Sequence, residues 1–158
     1  MTDAELQRLV SLPKKITNPR ARTTTQRKSI QRTYYLETPD GEPSMELKLR
    51  QNTLDEDHFS CVLLCHLPNG DKLILRRYNG SNHIHGNKLD PDMGEIVFTC
   101  HIHMAKQRYI EKGLRSDDYA EQTEAYRTFE GAISCIIKDC NITGHEPRGS
   151  ERNLDFDF

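Results

Sequence analysis

Between residues 58 and 79 two runs rich in strand formers, Phe59-Ser-Cys-Val-Leu-Leu-Cys-His66 and Lys72-Leu-Ile-Leu-Arg-Arg-Tyr-Asn79, flank the dipeptide Asn69-Gly70. Two such runs around Asn-Gly predict a hairpin closed by a two-residue type I′ turn, because that turn needs positive φ at both central positions. The turn would also set the register. Pairing Leu67 with Lys72 places His66 opposite Leu73, Leu64 opposite Leu75, Val62 opposite Arg77 and Ser60 opposite Asn79. Arg77 and Asn79 then share a face with His58 and Ser60 at the end away from the turn, while Phe59, Cys61, Leu63 and Cys65 share the other with Ile74, Arg76 and Tyr78. A one-residue slip would reverse every assignment.

The same period of two recurs along the chain. Met45, Leu47 and Leu49 alternate with Glu46, Lys48 and Arg50, predicting a half-buried strand over 44–51, and Thr33-Tyr-Tyr-Leu36 suits a strand over 30–37. Glu95-Ile-Val-Phe-Thr-Cys-His-Ile-His-Met104 reads as a further strand, with Ile96, Phe98, Cys100, Ile102 and Met104 on one face and Val97, Thr99, His101 and His103 on the other. Helical spacing appears near both ends. Leu6, Leu9 and Val10 follow a cap at Asp3 and stop at Pro13; Phe129, Ala132, Ile133, Ile136, Ile137 and Cys140 form a stripe behind Thr128, ended by Asn141. Ser116, with Asp117 and Asp118 behind it, reads as the start of another helix. The expected fold class is α+β: a mostly antiparallel sheet of about five strands, a short N-terminal helix, and a C-terminal helix packed on one face.

A chain of 158 residues fits one domain, expected over 1–142 with a basic linker or arm at 13–29 and a disordered tail at 143–158, ending in the acidic-aromatic Leu154-Asp-Phe-Asp-Phe158. The formal net charge is -2, so nothing global calls for nucleic acid or an acidic membrane. Locally, Lys14, Lys15, Arg20, Arg22, Arg27, Lys28 and Arg32 occur with no intervening acid, a candidate phosphate-binding strip or a solvated arm. Five cysteines without a Cys-x-x-Cys pair argue for reduced, mostly buried thiols and against a thiolate zinc site. The lack of a long apolar run or signal-like start predicts no membrane span and a cytoplasmic location.

Chemistry is concentrated in the histidines. Four of the seven lie in His83-Ile84-His85 and His101-Ile102-His103, the first inside a loop rich in Gly and Asn, Asn79-Gly80-Ser81-Asn82 to Gly86-Asn87. The doubling reads as coincidence unless both pairs face one cleft. On a strand His101 and His103 lie about 6.5–7 Å apart on one face, suited to two ligands of one ion or two partners in proton transfer.

Three readings are open. In the first, a metal-independent ribonuclease uses His101 and His103 as acid and base on an RNA phosphodiester, with His83 assisting. Arg77 steadies the phosphate, Asn79, Gly80 and His85 help to bind it, and Tyr78 or Tyr109 stacks on a base. Size and plan would suit the toxin of a toxin–antitoxin pair, whose partner would be the antitoxin. In the second, a phage- or plasmid-borne regulator grips a protein or nucleic acid with the histidine face and does no chemistry. In the third, His101 and His103 ligate zinc or iron, with a third ligand from His83, His85, Asp90 or Asp92, although Lys106 and Arg108 would repel a dication. The leading expectation has no cofactor.

Leu9-Val-Ser-Leu-Pro-Lys-Lys-Ile16, Arg77-Tyr-Asn-Gly-Ser-Asn-His83, Cys100-His-Ile-His-Met-Ala105 and Cys140-Asn-Ile142, in that order, resemble an uncharacterised family of small bacterial proteins. Its members carry an Asn-Gly-Pro-His-like loop, a His-Ile-His-Lys-Ala-like strand and a closing Cys-Asn-Ile. Here Ser81 stands in place of proline and Met104 in place of lysine. The resemblance implies that Asn79, Gly80, His83, His101 and His103 form one site, and implies no reaction.

Overall fold

The computed structural model describes residues 1–146; the expected disorder of the C-terminal tail falls mostly on 147–158, outside the described residues. The chain is α+β and its sheet is mostly antiparallel, but among the described residues that sheet has nine strands where about five were expected. In chain order these are β1 (Lys14–Ile16), β2 (Thr24–Gln26), β3 (Ser29–Glu37), β4 (Met45–Asn52), β5 (Phe59–His66), β6 (Lys72–Asn79), β9 (His101–Met104), β10 (Ala120–Gln122) and β11 (Ile142–Thr143). Their lateral order is β10-β9-β6-β5-β4-β3-β1-β11, with β2 paired to β3. β7 (Ile84–Gly86) and β8 (Glu95–Val97) make a separate two-stranded ribbon.

Helices α1 (Asp3–Ser11) and α3 (Phe129–Asp139) bury their apolar residues in the same core cluster, against Tyr34, Leu47, Leu63 and Tyr78 of one sheet face. α1 starts one residue before the expected cap: Thr2 and Glu5 form a reciprocal capping box. α3 starts where Thr128 Oγ1 accepts from Gly131 N. The predicted helix at Ser116 is a turn, in which the Asp118 carboxylate accepts from the Arg115 N–H. The third helix, α2 (Gln107–Glu111), is short and was not anticipated.

The hairpin turn also differs from expectation. Gly70 N donates to Leu67 O, so Pro68 and Asn69 are the central residues, and Gly70, at φ 90, follows them. Asn69 is not in the positive-φ region, which rules out type I′ and leaves the three-residue turn with a glycine bulge. That shifts His66 to Lys72 and Leu64 to Ile74. A second irregularity between Leu63 and Leu64 returns the register, so that Val62 meets Arg77 and Ser60 meets Asn79 as the sequence implied.

The run from Glu95 is not one strand. Phe98 sits at φ 47, a conformation that L residues seldom adopt, and this kink sends 95–97 into the ribbon and 101–104 into the main sheet. Phe98 accordingly lies 60% exposed instead of joining the core. Parts of the basic stretch belong to the sheet, through β1 and β2. Lys14 and Arg32 are buried, and the Lys14 ammonium donates to Val10 O, Leu12 O and Cys140 O at 2.6, 2.7 and 2.8 Å, closing the C-terminal ends of α1 and α3.

Candidate histidine metal centre

Register builds the site. On the sheet face opposite the helices, Asn79 lies across from His101 and Arg77 across from His103. The row continues through Ser60 to Arg50 on one side and Gln122 on the other. The β7–β8 ribbon brings the other two imidazoles onto this patch, making one cluster of both His-Ile-His motifs. Ring centroids are 4.7 Å apart for His83 and His101, 5.0 Å for His101 and His103, and 4.8 Å for His85 and His103. The doubling is therefore not a coincidence of composition: both pairs face one cleft.

Three of the four are oriented alike. His101 Nδ1 lies 2.9 Å from Thr99 O, His103 Nδ1 lies 2.6 Å from Asp117 O, and His83 Nδ1 lies 2.9 Å from Asn82 Oδ1. Carbonyl oxygens only accept, so each Nδ1 carries the proton and each Nε2 keeps its lone pair. His101 Nε2 is buried with no partner, and His103 Nε2 accepts only from Asn79 Nδ2, at 3.2 Å. Ligand atoms of His83, His101 and His103 all lie within 4.8 Å of one another, so this group could hold a metal ion. A tetrahedral zinc with Zn–N near 2.1 Å needs nitrogens about 3.4 Å apart, a closure of about 1.4 Å at the widest pair.

His85 is oriented the other way. Asn87 is fixed by two bonds to Ala120, with Nδ2 donating to Ala120 O and Oδ1 accepting from Ala120 N, each at 2.8 Å. Asn87 Oδ1 therefore also accepts from His85 Nε2, at 2.9 Å. His85 props the cluster instead of completing the triad.

Burial keeps the triad neutral. Desolvation, opposed by the Thr99 bond and aided by His83 and His85, lowers His101 to about 4. Desolvation and the neighbouring imidazoles lower His103 to about 3, and His83 falls for the same first reason, with His58 contributing. Arg77 pairs with Asp117 at 2.7 Å while burial pulls its guanidinium below the usual value.

Not every expected residue reaches the site. Tyr78 faces the core, fully buried, donating from Oη to Asp139 Oδ2 at 2.5 Å and stacking on Tyr126. Tyr109 is also buried and donates to Asp90 Oδ2, which Arg108 pairs at 2.8 Å, so neither that acid nor that base faces the histidines. Gly80 has a packing reason: a Cβ there would stand 2.0 Å from Asp57 O, and its N–H continues the sheet to Phe59 O. Residues that sequence reasoning missed are Thr99, Asp117 and Asn82, which fix the tautomers, and Tyr126, whose single hydroxyl proton is shared between Asn79 O at 2.8 Å and His101 O at 3.0 Å, tying β6 to β9 beneath the site.

The fold and site define an α+β protein with a mostly antiparallel sheet and a histidine cluster on the sheet face away from the helices. Comparison with family models, curated proteins and solved structures finds no match for this chain. Among the described residues no helix is long and apolar enough to cross a membrane.

Proposed function

We propose that the protein is a metalloenzyme whose ion is held by His83, His101 and His103. The observation that carries this reading is a trio of imidazoles whose ligand nitrogens lie within 4.8 Å of one another while each Nδ1 sits beside a carbonyl oxygen. That is the outer arrangement which fixes ring orientation and raises ligand basicity in histidine metal sites. Zinc or ferrous iron would suit three neutral imidazoles, and an ion held by these three residues would supply Lewis acidity. Around it stand the chain's own groups: Arg77 and Asn79 lie opposite His103 and His101 in the sheet.

A metal-independent ribonuclease would need one imidazole charged and its partner neutral near neutral pH. Two imidazoles held at about 4 and about 3 are both neutral there, which favours ligation over proton transfer. Cobalt(II) added to chelator-treated protein, followed by visible absorption, tests the ion. Intense bands of tetrahedral cobalt that vanish in His101→Ala support the reading; their absence in the wild type contradicts it. Turnover of chromogenic esters or phosphoesters that requires zinc or iron supports the enzymatic half. Ion binding without turnover of any of them would make the centre structural.

A further inference from the structure

Beside the triad lies a cavity of about 340 Å³ lined by Ser29, Arg50, Asn52, His58, Phe59, Ser60, Arg77, Asn79 and His83. His83 belongs to both, so anything seated in the cavity stands next to the histidine centre. We infer that this cavity receives a phosphoryl group of the substrate.

Two guanidiniums on different strands, two imidazoles, two hydroxyls and two amides converge here, and no lining residue is acidic. Asp55, Glu56 and Asp57 precede His58 in the adjoining loop, yet none of them lines the cavity. Asp117 holds Arg77, and it divides its charge between Arg77 and Arg115, 2.7 and 3.2 Å away. Among the described residues Arg50 has no ion-pair partner. Two polar atoms of lining residues, Arg77 Nε and Asn79 Oδ1, are buried without any hydrogen bond, and Asn79 is 7% exposed. One is a donor suited to an anionic oxygen, the other an acceptor suited to a hydroxyl carried on or beside the phosphoryl group. A planar carboxylate is satisfied by one bidentate arginine, whereas a tetrahedral group of higher charge uses donors from several directions, as provided here.

The inference deepens the metalloenzyme reading, but binding at the cavity does not depend on the ion. Chelator-treated protein titrated with inorganic phosphate, by calorimetry or by phosphorus NMR, is therefore the test. Millimolar phosphate is expected to bind, and Arg50→Gln, on an exposed strand position, is expected to weaken binding about tenfold or more, the worth of one charge-assisted hydrogen bond. Zinc affinity should stay unchanged in that variant. Absence of phosphate binding, or equal binding by the Arg50→Gln protein with an unaltered circular dichroism spectrum, would overturn the proposal. Competition by a mononucleotide assigns the group to a monoester, competition by a short oligoribonucleotide alone assigns it to a polynucleotide backbone, and competition by neither overturns the assignment. Phosphate binding that persists while zinc fails to bind would sink the metal reading alone.

Discussion

His101 is fully enclosed, its Nδ1 proton is taken by the Thr99 carbonyl, and its Nε2 is buried without a partner in the trio it forms with His83 and His103. A buried acceptor left unsatisfied costs about 1–3 kcal/mol, so the residue is worse off than a solvated histidine unless something binds there. His101→Ala should therefore weaken zinc binding by more than about a hundredfold, beyond the 10–100-fold usual for outer partners, as read by competition with a chelating dye. His85→Ala, outside the triad, should keep near-native affinity; an equal loss in both variants would contradict the division of roles. Alternation put His101 and His103 on one face, the hairpin register offered Asn79, and the glycine- and asparagine-rich loop offered His83 as a third ligand or assisting group. The tautomers were not legible. Thr99 and Asp117 act through backbone carbonyls, and a carbonyl's direction depends on loop conformation that no side-chain pattern encodes.

The ribbon and the hairpin show how far element-level patterns reach. Period-two alternation predicted a strand over 95–104 because nothing in the letters marks Phe98 as a kink; glycine or asparagine would have. The far end of the β5–β6 hairpin came out in the predicted register only because the bulge at Leu63/Leu64 cancels the shift made at Gly70. Beneath the site, Tyr126 joins two strands through one hydroxyl. Tyr126→Phe should lower the thermal midpoint by the equivalent of about 1–2 kcal/mol and weaken zinc binding as β6 and β9 loosen; an unchanged midpoint would remove Tyr126 from the account. Gly80→Ala forces a Cβ onto the Asp57 carbonyl and should destabilise by about 3 kcal/mol or more in urea denaturation. Wild-type stability in that variant would contradict the close approach.

Across the whole molecule the sheet has two unlike faces. One packs both long helices, and the other holds the histidines, with neutrality enforced by burial. In the unfolded chain imidazoles take a proton near pH 6.5, but folded His101 and His103 take theirs only near 4 and 3. Between those limits the unfolded state binds more protons, so the ion-free protein should be fully stable above about pH 6.5 and lose stability as pH falls through that window. Each group contributes at most about 1.4 kcal/mol per pH unit. Urea midpoints in chelator at pH 7 and pH 4.5 check this, and an equal midpoint at both would contradict buried neutral imidazoles.

The central claim is tested most directly by metal analysis of protein stripped with chelator, reloaded with zinc and dialysed. The structure predicts one zinc per chain in the wild type and in His85→Ala, and none in His101→Ala. Wild-type protein that retains no zinc, or His101→Ala protein that retains as much as wild type, would contradict it.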